Sequence, residues 1–254
     1  KAWYQLYHPA ENSLRDDILK RLDAVECPVL VLLSDVPSFG FRPRDIRNGL
    51  AMPPKMTVKN ILQIMTRPEW AFRTLYHGTP GFATLKPYMP KGLNMSQLGQ
   101  FMNQTFSGRL NPEKIAPIRD KWKGKIVLKG LATEADVEQA IKLGLDGVIV
   151  SNHGGRQIDA GQSTIKSLDP IVSKYKGQIK IMMDSGVRSG PDVARTLASG
   201  AEFAFLGRSF MYSVAALGNE GGNHMIAMLK TQLQQVMEQV CCAKVEDLQN
   251  HLIK

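Results

Sequence analysis

The sequence contains little cysteine and no long hydrophobic run. Three cysteines are present among 254 residues, and none has a histidine or cysteine partner at the spacing of metal ligands. A disulfide framework is therefore excluded, and the cysteine usage favours a reducing cytoplasm. No apolar stretch approaches the roughly 20 residues of a membrane-spanning helix. Internal repeats, heptads and low-complexity tracts are also absent, and we expect one domain over residues 1–254.

Positive charge is concentrated in one segment. The net charge is +9, which indicates an anionic partner such as nucleic acid, a membrane surface or an acidic substrate. Between residues 42 and 91 only Asp45 and Glu69 oppose nine basic side chains, so any electrostatic docking is expected to involve this segment. The basic residues are Arg42, Arg44, Arg47, Lys55, Lys59, Arg67, Arg73, Lys86 and Lys91.

Short apolar strands alternate with amphipathic helical stretches, which is typical of βα units around a parallel sheet. The six predicted strands amount to most of a (β/α)8 barrel, which needs eight. The chain starts Lys-Ala-Trp-Tyr-Gln, as if within a strand. We therefore expect the first two barrel strands to lie upstream, and this chain alone to be unstable or to aggregate. The predicted strands are 2–7, 28–34, 125–129, 147–151, 179–184 and 203–207; the predicted helices are 13–25, 133–143, 163–175 and 191–199.

One long connection interrupts this alternation. Residues 48–110 form a basic insertion between the second and third strands, and this insertion contains six prolines. At most short helices joined by bends are expected there. Long insertions of this kind are usually lids or docking surfaces. Residues 220–254 are predicted to form one long and one short C-terminal helix.

The most informative motif is Ser151-Asn-His-Gly-Gly-Arg-Gln157, directly after the fourth predicted strand. It places an imidazole (His153) and a guanidinium (Arg156) in one loop. A histidine takes up a proton near neutral pH, an arginine holds a carboxylate by two parallel hydrogen bonds, and two glycines let the backbone approach a ligand. The motif predicts oxidation of a small acid that carries a hydroxyl group. Taken by itself, it also fits an ordinary loop with solvated side chains.

Polar residues also stand at the ends of the other predicted strands, where the reactive groups of a barrel gather. Gln5 and Tyr7 alternate with apolar neighbours and so point to one face. Glycine-rich turns with Arg188 and Arg208 after the last two strands are typical of a phosphate site at a helix N-terminus. Each residue singly also fits an ordinary role, such as a turn former; their recurrence favours a site. The remaining candidates are Asp35, Arg42, Lys129, Asp184, Gly186 and Gly207.

Together the motifs resemble those of the FMN-dependent α-hydroxy acid dehydrogenase and oxidase family, which includes L-lactate dehydrogenases, glycolate oxidases and mandelate dehydrogenases. The resemblance implies an α/β fold, the (β/α)8 TIM barrel, with FMN as cofactor. It also implies oxidation of an L-2-hydroxy acid, with L-lactate as the first expectation, to the 2-keto acid. The motifs are Gln5-Leu-Tyr7, Asp35-x-Pro37, Arg42, Asp45-Ile-x-Asn48, Leu128-Lys-Gly130, Ser151-Asn-His-Gly-Gly-Arg-Gln157, Asp184-Ser-Gly-Val-Arg188 and Leu206-Gly-Arg208.

The resemblance implies a role for each candidate residue. His153 is the base that takes a proton from the substrate, and Asp35 is hydrogen-bonded to it. Tyr7 hydrogen-bonds the substrate's hydroxyl or carboxylate, and Arg42 and Arg156 bind the carboxylate. The FMN-binding residues are Gln5, Lys129 and Ser151, with Lys129 at the N1–O2 edge of the flavin, and, around the ribityl phosphate, Asp184, Gly186, Arg188, Gly207 and Arg208.

One residue departs from the family's pattern. Leu33 stands where the family usually has a threonine. Ser34 is adjacent, but neighbouring strand residues face opposite ways, so Ser34 is a poor replacement. A polar contact near the flavin is therefore in doubt.

The electron acceptor separates the dehydrogenases from the oxidases of the family. Residues 56–70 resemble the membrane-associated lactate and mandelate dehydrogenases. The basic side chains of the insertion, together with its aromatic residues, suit an anionic lipid interface; the aromatic residues are Trp70, Phe72, Tyr76, Phe82 and Tyr88. We therefore expect peripheral attachment to the inner face of the cell membrane and a quinone-type acceptor. A solvated basic lid, an oxygen-using oxidase and an inactive fragment are the alternatives.

Two other classes of function remain as alternatives. A nucleic-acid-binding module would show basic residues and stacking aromatics on one regular face. Another phosphate-binding barrel, such as an FMN-dependent isomerase, would not need the carboxylate-binding arginines. The mixed His, Asp, Lys and Arg at the strand ends disfavour the first class, and the combination of His153 with Arg156 and Arg42, which favours a small carboxylate, disfavours the second. By analogy with the family, a homo-oligomer such as a tetramer is expected.

Overall fold

The computed structural model describes residues 2–37, 41–49, 56–78, 82–93, 95–106 and 109–252. Within these residues six strands form one parallel sheet, in which the strands lie side by side in chain order. The strands are β1 (Tyr4–Leu6), β2 (Val29–Leu33), β3 (Lys125–Leu131), β4 (Gly147–Val150), β5 (Lys180–Met183) and β6 (Phe203–Ala204).

Helices lie between and after the strands, and the apolar residues of several of them pack against the outer side of the sheet. They are α1 (Asn12–Ala24), α2 (Pro43–Arg47), α3 (Val58–Met65), α4 (Pro68–His77), α5 (Met95–Thr105), α6 (Pro112–Lys121), α7 (Glu134–Lys142), α8 (Thr164–Tyr175), α9 (Gly190–Ala198), α10 (Arg208–Leu217) and α11 (Gly221–Gln239). A 3-10 helix, Val245–His251, follows α11.

The strands are apolar on both faces because both faces are covered. Every residue of β2 and of β4 is buried, as expected for a parallel sheet. Alternate residues separate into two clusters. Leu30, Leu32 and their neighbours pack against the helices, whereas a small cluster lines the concave side: Val29, Val31, Val127, Ile149 and Met182.

The sheet curls so that its two ends approach each other. The rings of Trp3, before β1, and Phe205, after β6, have centroids 5.5 Å apart. Within the described residues no further strand pairs with β1 or β6. The prediction of an α/β fold that forms part of a (β/α)8 barrel is confirmed.

The predicted strands and helices are all present, with ends shifted by a few residues. Three helices were not predicted: α2, α6 and α10. Asn111 caps α6 by accepting from the amide of Lys114, and Pro112 follows in the first turn, so an N-terminal signal was available. Helix α10 gave a weak signal because its β-branched and aromatic residues have low helix propensity.

The insertion has two parts that differ in packing. Helices α3 and α4 lie on the surface, whereas the segment around the 3-10 helix Lys86–Tyr88 is fixed to α1. Tyr88 donates a hydrogen bond to Asp17, and Arg21 donates to the carbonyl of Thr84 at 3.1 Å. Pro53 and Pro54 lie outside the described residues. No helix in the described part of the chain is long and apolar enough to cross a membrane.

Candidate active site

The loop after β4 carries His153 in an unusual backbone conformation. His153, Gly154 and Gly155 have φ values of 55°, 69° and 72°. Glycine adopts this left-handed region freely, but a histidine does so at a cost. The loop is held by its own hydrogen bonds: the Asn152 side chain accepts from the amide of Gly155 at 3.2 Å. The strained residue in the loop is thus the predicted base.

Asp35 follows β2 and approaches the ring of His153, which follows β4; β3 lies between these two strands. The Nδ1 atom of His153 lies 3.2 Å and 3.3 Å from the two carboxylate oxygens. A carboxylate accepts hydrogen bonds, so this contact favours the tautomer with the proton on Nδ1. The Nε2 atom then keeps its lone pair.

Gly130 makes room for Asp35. A Cβ atom on Gly130 would lie 2.6 Å from Cβ of Asp35, and the φ of Gly130 is 103°. The pairing of β3 with β4 also shifts between Lys129 and Leu131. Such an irregularity redirects a side chain near an active site. Gly130 therefore allows Asp35 to lie close to β3, immediately beside Lys129.

Lys129 is a largely buried cation with specific partners. Its Nζ atom lies 2.8 Å from Oδ2 of Asp184 and donates to the hydroxyl of Ser151 at 2.9 Å. The same hydroxyl accepts from the amide of His153 at 3.1 Å. Charge pairing is required because an unpaired buried ammonium is costly. Ser151 consequently links Lys129 to the His153 loop.

The two candidate carboxylate-binding arginines lie next to each other. Nε of Arg42 donates to the carbonyl of Arg156 at 3.3 Å, and Nη2 donates to the side chain of Gln157 at 3.3 Å. Asp45 lies 3.9 Å from both guanidinium groups. The Arg156 side chain is 47% exposed, so it remains accessible to a ligand. Both guanidinium groups therefore lie beside the loop that carries His153.

Gln5 lies in β1, and Tyr7 directly follows this strand. The Tyr7 ring packs edge-on against Phe106 with centroids 6.0 Å apart. Burial raises the pKa of Tyr7 above its usual 10.0, Asp35 raises it further, and Arg42 opposes the change. The influence of Asp35 and Arg42 indicates that Tyr7 faces the same site. Its phenol stays protonated at neutral pH and can donate a hydrogen bond.

The segments after β5 and β6, where the sequence predicts a phosphate site, are in contact. The hydroxyl of Ser209 donates to the carbonyl of Arg188 at 3.0 Å. Arg208 begins α10 and donates to the carbonyl of Gly154 at 3.1 Å. In the described part of the chain, no atom lies within 4 Å of the position that a Cβ atom would take on Gly186 or on Gly207. The backbone is therefore open to a ligand at both glycines.

Leu33 lies on the concave side of the sheet. It is buried, and by alternation it shares a face with Val29 and Val31. The hydroxyl of Ser34 instead donates to the carbonyl of Lys129 at 2.7 Å. Ser34 therefore joins β2 to β3 and leaves the position of the usual threonine apolar.

Sequence reasoning missed Ser185 as a member of this network. Its φ is 73°, and its Oγ atom accepts hydrogen bonds from the amides of Asn152 and Gly154. A non-glycine residue in this conformation leaves no signal in the sequence. Gly130 was named only as part of a motif, because its contact with Asp35 depends on two strands far apart in sequence.

A wide cavity lies away from this site. It measures about 810 Å³ and opens at the amino ends of the strands, beside Trp3, Phe203 and Met182. Four of the five charged residues that line it form ion pairs: Lys125 with Asp146 at 2.7 Å, and Lys180 with Glu202 at 2.6 Å. The fifth, Lys176, donates to the side chain of Gln249. Because catalytic groups of barrels gather at the carboxyl ends of the strands, this cavity is not the candidate site.

Known proteins show similarity along the whole chain. The FMN-dependent dehydrogenase family matches residues 1–254. An L-lactate dehydrogenase of Haemophilus influenzae (strain PittEE) is 35% identical over 236 residues, which cover 92% of this chain and 62% of that protein. An L-lactate dehydrogenase of Alcaligenes faecalis is 32% identical over 252 residues, which cover 99% of this chain and 66% of that protein. The chain thus spans less than two thirds of the length of these relatives.

Solved structures show the same similarity in three dimensions. The monotopic membrane protein (S)-mandelate dehydrogenase superposes with a TM-score of 0.89 at 31% identity, over 97% of this chain and 65% of that one. A mandelate oxidase superposes with a TM-score of 0.72 at 27% identity, over 98% of this chain and 61% of that one.

Proposed function

The chain belongs to the FMN-dependent dehydrogenase family, and on that premise we propose that it oxidises an L-2-hydroxy acid to the 2-keto acid. The observation that carries the proposal is the convergence of the His153–Asp35 pair with Arg42 and Arg156. A substrate with a hydroxyl next to a carboxylate requires a base and a cationic clamp side by side.

The residues at the ends of β5 and β6 fit the phosphate of FMN. Gly186 and Gly207 leave the backbone accessible, and the N-terminus of α10 supplies amide donors. Arg188 and Arg208 add positive charge. When bound, FMN accepts the two electrons of the oxidation.

Lys129 and its partners fit the flavin ring. A cation paired inside the barrel suits the flavin edge on which negative charge develops, and Ser151 and Gln5 offer further hydrogen bonds. Asp184 pairs with Lys129 at 2.8 Å. We assign it to Lys129 and to the ribityl hydroxyls rather than to the phosphate, because two anions repel each other.

His153 acts as the base through Nε2. Asp35 accepts from Nδ1, so the ring presents the Nε2 lone pair and takes a proton from the substrate there. The imidazolium that forms is stabilised by the Asp35 carboxylate, as in a hydrolase His–Asp pair. Asp35 thus both fixes the tautomer of His153 and stabilises the charged imidazolium.

Arg42, Arg156 and Tyr7 orient the substrate. The guanidinium groups bind the carboxylate by charge-assisted hydrogen bonds, and the neutral Tyr7 phenol donates to the hydroxyl or the carboxylate. L-Lactate is the substrate we propose, because the similar curated proteins are named L-lactate dehydrogenases. Mandelate is the second candidate, since the similar solved structures act on it by name.

Helices α3 and α4 support attachment to a membrane surface. Val58, Ile61, Leu62 and Met65 form one stripe on α3, and Phe72, Leu75 and Tyr76 form another on α4. All seven side chains are between 48% and 86% exposed. An apolar stripe normally faces a protein core. These two instead face solvent, beside basic residues such as Lys59 and Arg67, which suits an anionic bilayer surface.

A quinone is the acceptor that this attachment favours, because quinones dissolve in the bilayer. The similar (S)-mandelate dehydrogenase is called a monotopic membrane protein. An oxygen-using oxidase is the alternative, supported by the similarity to mandelate oxidase. Measuring turnover with a soluble quinone and with oxygen separates the two.

Anaerobic titration of the FMN-loaded protein with L-lactate tests the proposal. The oxidised-flavin absorbance should bleach, and the His153→Gln variant should bleach about 10²–10⁴ times more slowly. Bleaching by mandelate but not by lactate would reassign the substrate. A chain that retains no FMN, or a flavin that no 2-hydroxy acid bleaches, would contradict the proposal.

A further inference from the structure

The hydroxyl of Ser185 joins two parts of the site that approach from different strands. Ser185 lies between β5 and α9. Its Oγ atom accepts from the amide of Asn152 at 3.2 Å and from the amide of Gly154 at 2.9 Å. It donates to Oδ1 of Asp184 at 2.8 Å. A hydroxyl has one donor and two acceptor positions, so all of its capacity is used.

The two amides belong to the residues on either side of His153. His153 has a φ of 55°, a conformation that a non-glycine residue keeps only when its surroundings impose it. Without the Ser185 hydroxyl, both amides lose their partner, and an unpaired, partly buried amide is unfavourable. The loop would then relax toward conformations in which water satisfies these groups.

Asp184 extends the same connection to Lys129. Oδ1 of Asp184 accepts from Ser185, while Oδ2 lies 2.8 Å from Nζ of Lys129. One hydroxyl thus connects the loop of the proposed base to the ion pair assigned to the flavin. We infer that Ser185 is a positioning residue, which sets His153 relative to Lys129 through the two amides and Asp184 without touching the substrate. This inference rests on the proposed role of His153.

A purely structural role for Ser185 makes a different prediction. In that case Ser185, with its φ of 73°, would serve only to form the turn, and its hydroxyl would not matter. Glycine adopts this conformation more easily than serine does. Ser185→Gly therefore keeps the turn and removes the hydroxyl, whereas Ser185→Ala removes the hydroxyl and keeps the strain. Ser173→Ala, an exposed position on α8, is the matched control.

Amide hydrogen exchange tests the inference without catalysis. In the flavin-free and in the FMN-loaded protein, the amides of Asn152 and Gly154 should exchange at least about tenfold faster in both Ser185 variants. The amide of His153, which is bonded to Ser151, should change less, and Ser173→Ala should match the wild type. Wild-type protection of both amides in Ser185→Gly would overturn the inference.

Flavin reduction provides the second measurement. Ser185→Gly should reduce FMN about 10- to 100-fold more slowly, because small displacements of a base carry large rate penalties. Its effect should be less than additive with that of Asp184→Asn, because the two residues act as one unit. If His153→Gln slows the reaction and Ser185→Gly does not, the inference fails and the proposed function stands. If His153→Gln is fully active, the proposed function fails, and amide exchange still decides whether Ser185 holds the loop.

Discussion

The Nδ1 atom of His153 lies 3.2 Å from Oδ1 of Asp35, although 118 residues separate them in the sequence. The contact forms because β2 and β4 both pair with β3 and end at the same edge of the sheet. The parallel arrangement therefore assembles the pair from two loops that leave neighbouring parts of the sheet.

Replacing Asp35 by Asn should remove most of the activity. The amide cannot stabilise the imidazolium, and its NH2 group can favour the wrong tautomer of His153. We expect kcat to fall about 10²–10⁴-fold, measured by stopped-flow reduction of the flavin. Asp159→Asn, an exposed position in the following segment, is the control. An active Asp35→Asn variant would show that the pair is not catalytic.

Gly130→Ala should disturb both stability and activity. The new Cβ atom would lie within 2.7 Å of three Asp35 atoms, and the φ of 103° is unfavourable for alanine. Gly177→Ala is the matched control, because its φ of 84° is also unfavourable but no atom lies within 4 Å. We expect Gly177→Ala to cost about 1 kcal/mol. Thermal unfolding should show a larger loss for Gly130→Ala, and only Gly130→Ala should slow flavin reduction.

Arg156→Lys should weaken substrate binding more than the chemical step. Lysine keeps the charge but cannot make two parallel hydrogen bonds to a carboxylate. KM should rise about 10- to 100-fold, with a smaller change in kcat. Arg44→Lys, on the exposed surface of α2, should leave both parameters unchanged. A fall in kcat with an unchanged KM would place Arg156 elsewhere in the mechanism.

Polar substitutions on α3 and α4 should reduce membrane binding. Met65→Gln and Leu75→Gln change side chains that are 69% and 80% exposed, so folding should tolerate them. Flotation with anionic liposomes should decrease, and binding should weaken with salt. Val25→Gln changes an equally exposed residue on the end of α1 and serves as the control. Undiminished flotation of the double variant would contradict the proposed attachment.

His8 should make the protein less stable in acid. It is 4% exposed, and neither ring nitrogen has a hydrogen-bond partner among the residues that the structure describes. Burial lowers the pKa of His8 below its usual 6.5, and Lys114 and Arg15 lower it further. The unfolded chain therefore binds this proton at a higher pH than the folded chain, so the destabilisation begins below pH 6.5 and grows toward the folded pKa. The melting temperature of His8→Leu should fall less than that of the wild type between about pH 7 and pH 5; an equal fall would contradict this account.

Several elements could be predicted from local patterns alone. Strand β4 is a β-branched run that ends at a loop, and α7 begins with a Thr133 cap whose side chain accepts from the amide of Asp136. Helix α10 could not be predicted, because packing against α11, rather than propensity, supports that part of the chain. The contact of Gly130 with Asp35 was also out of reach, since it depends on the register between β2 and β3.

Consecutive residues are enough to identify the available chemistry: the order of the strands, the polar residues at their ends, and the motifs that indicate FMN and a hydroxy acid. These are local properties, because side-chain type and short-range periodicity are written in consecutive residues. Which of these residues contact one another follows from the three-dimensional packing. Asp184 pairs with Lys129, Ser185 holds the His153 loop, and the apolar stripes of α3 and α4 face solvent, because each of these results depends on packing between distant segments.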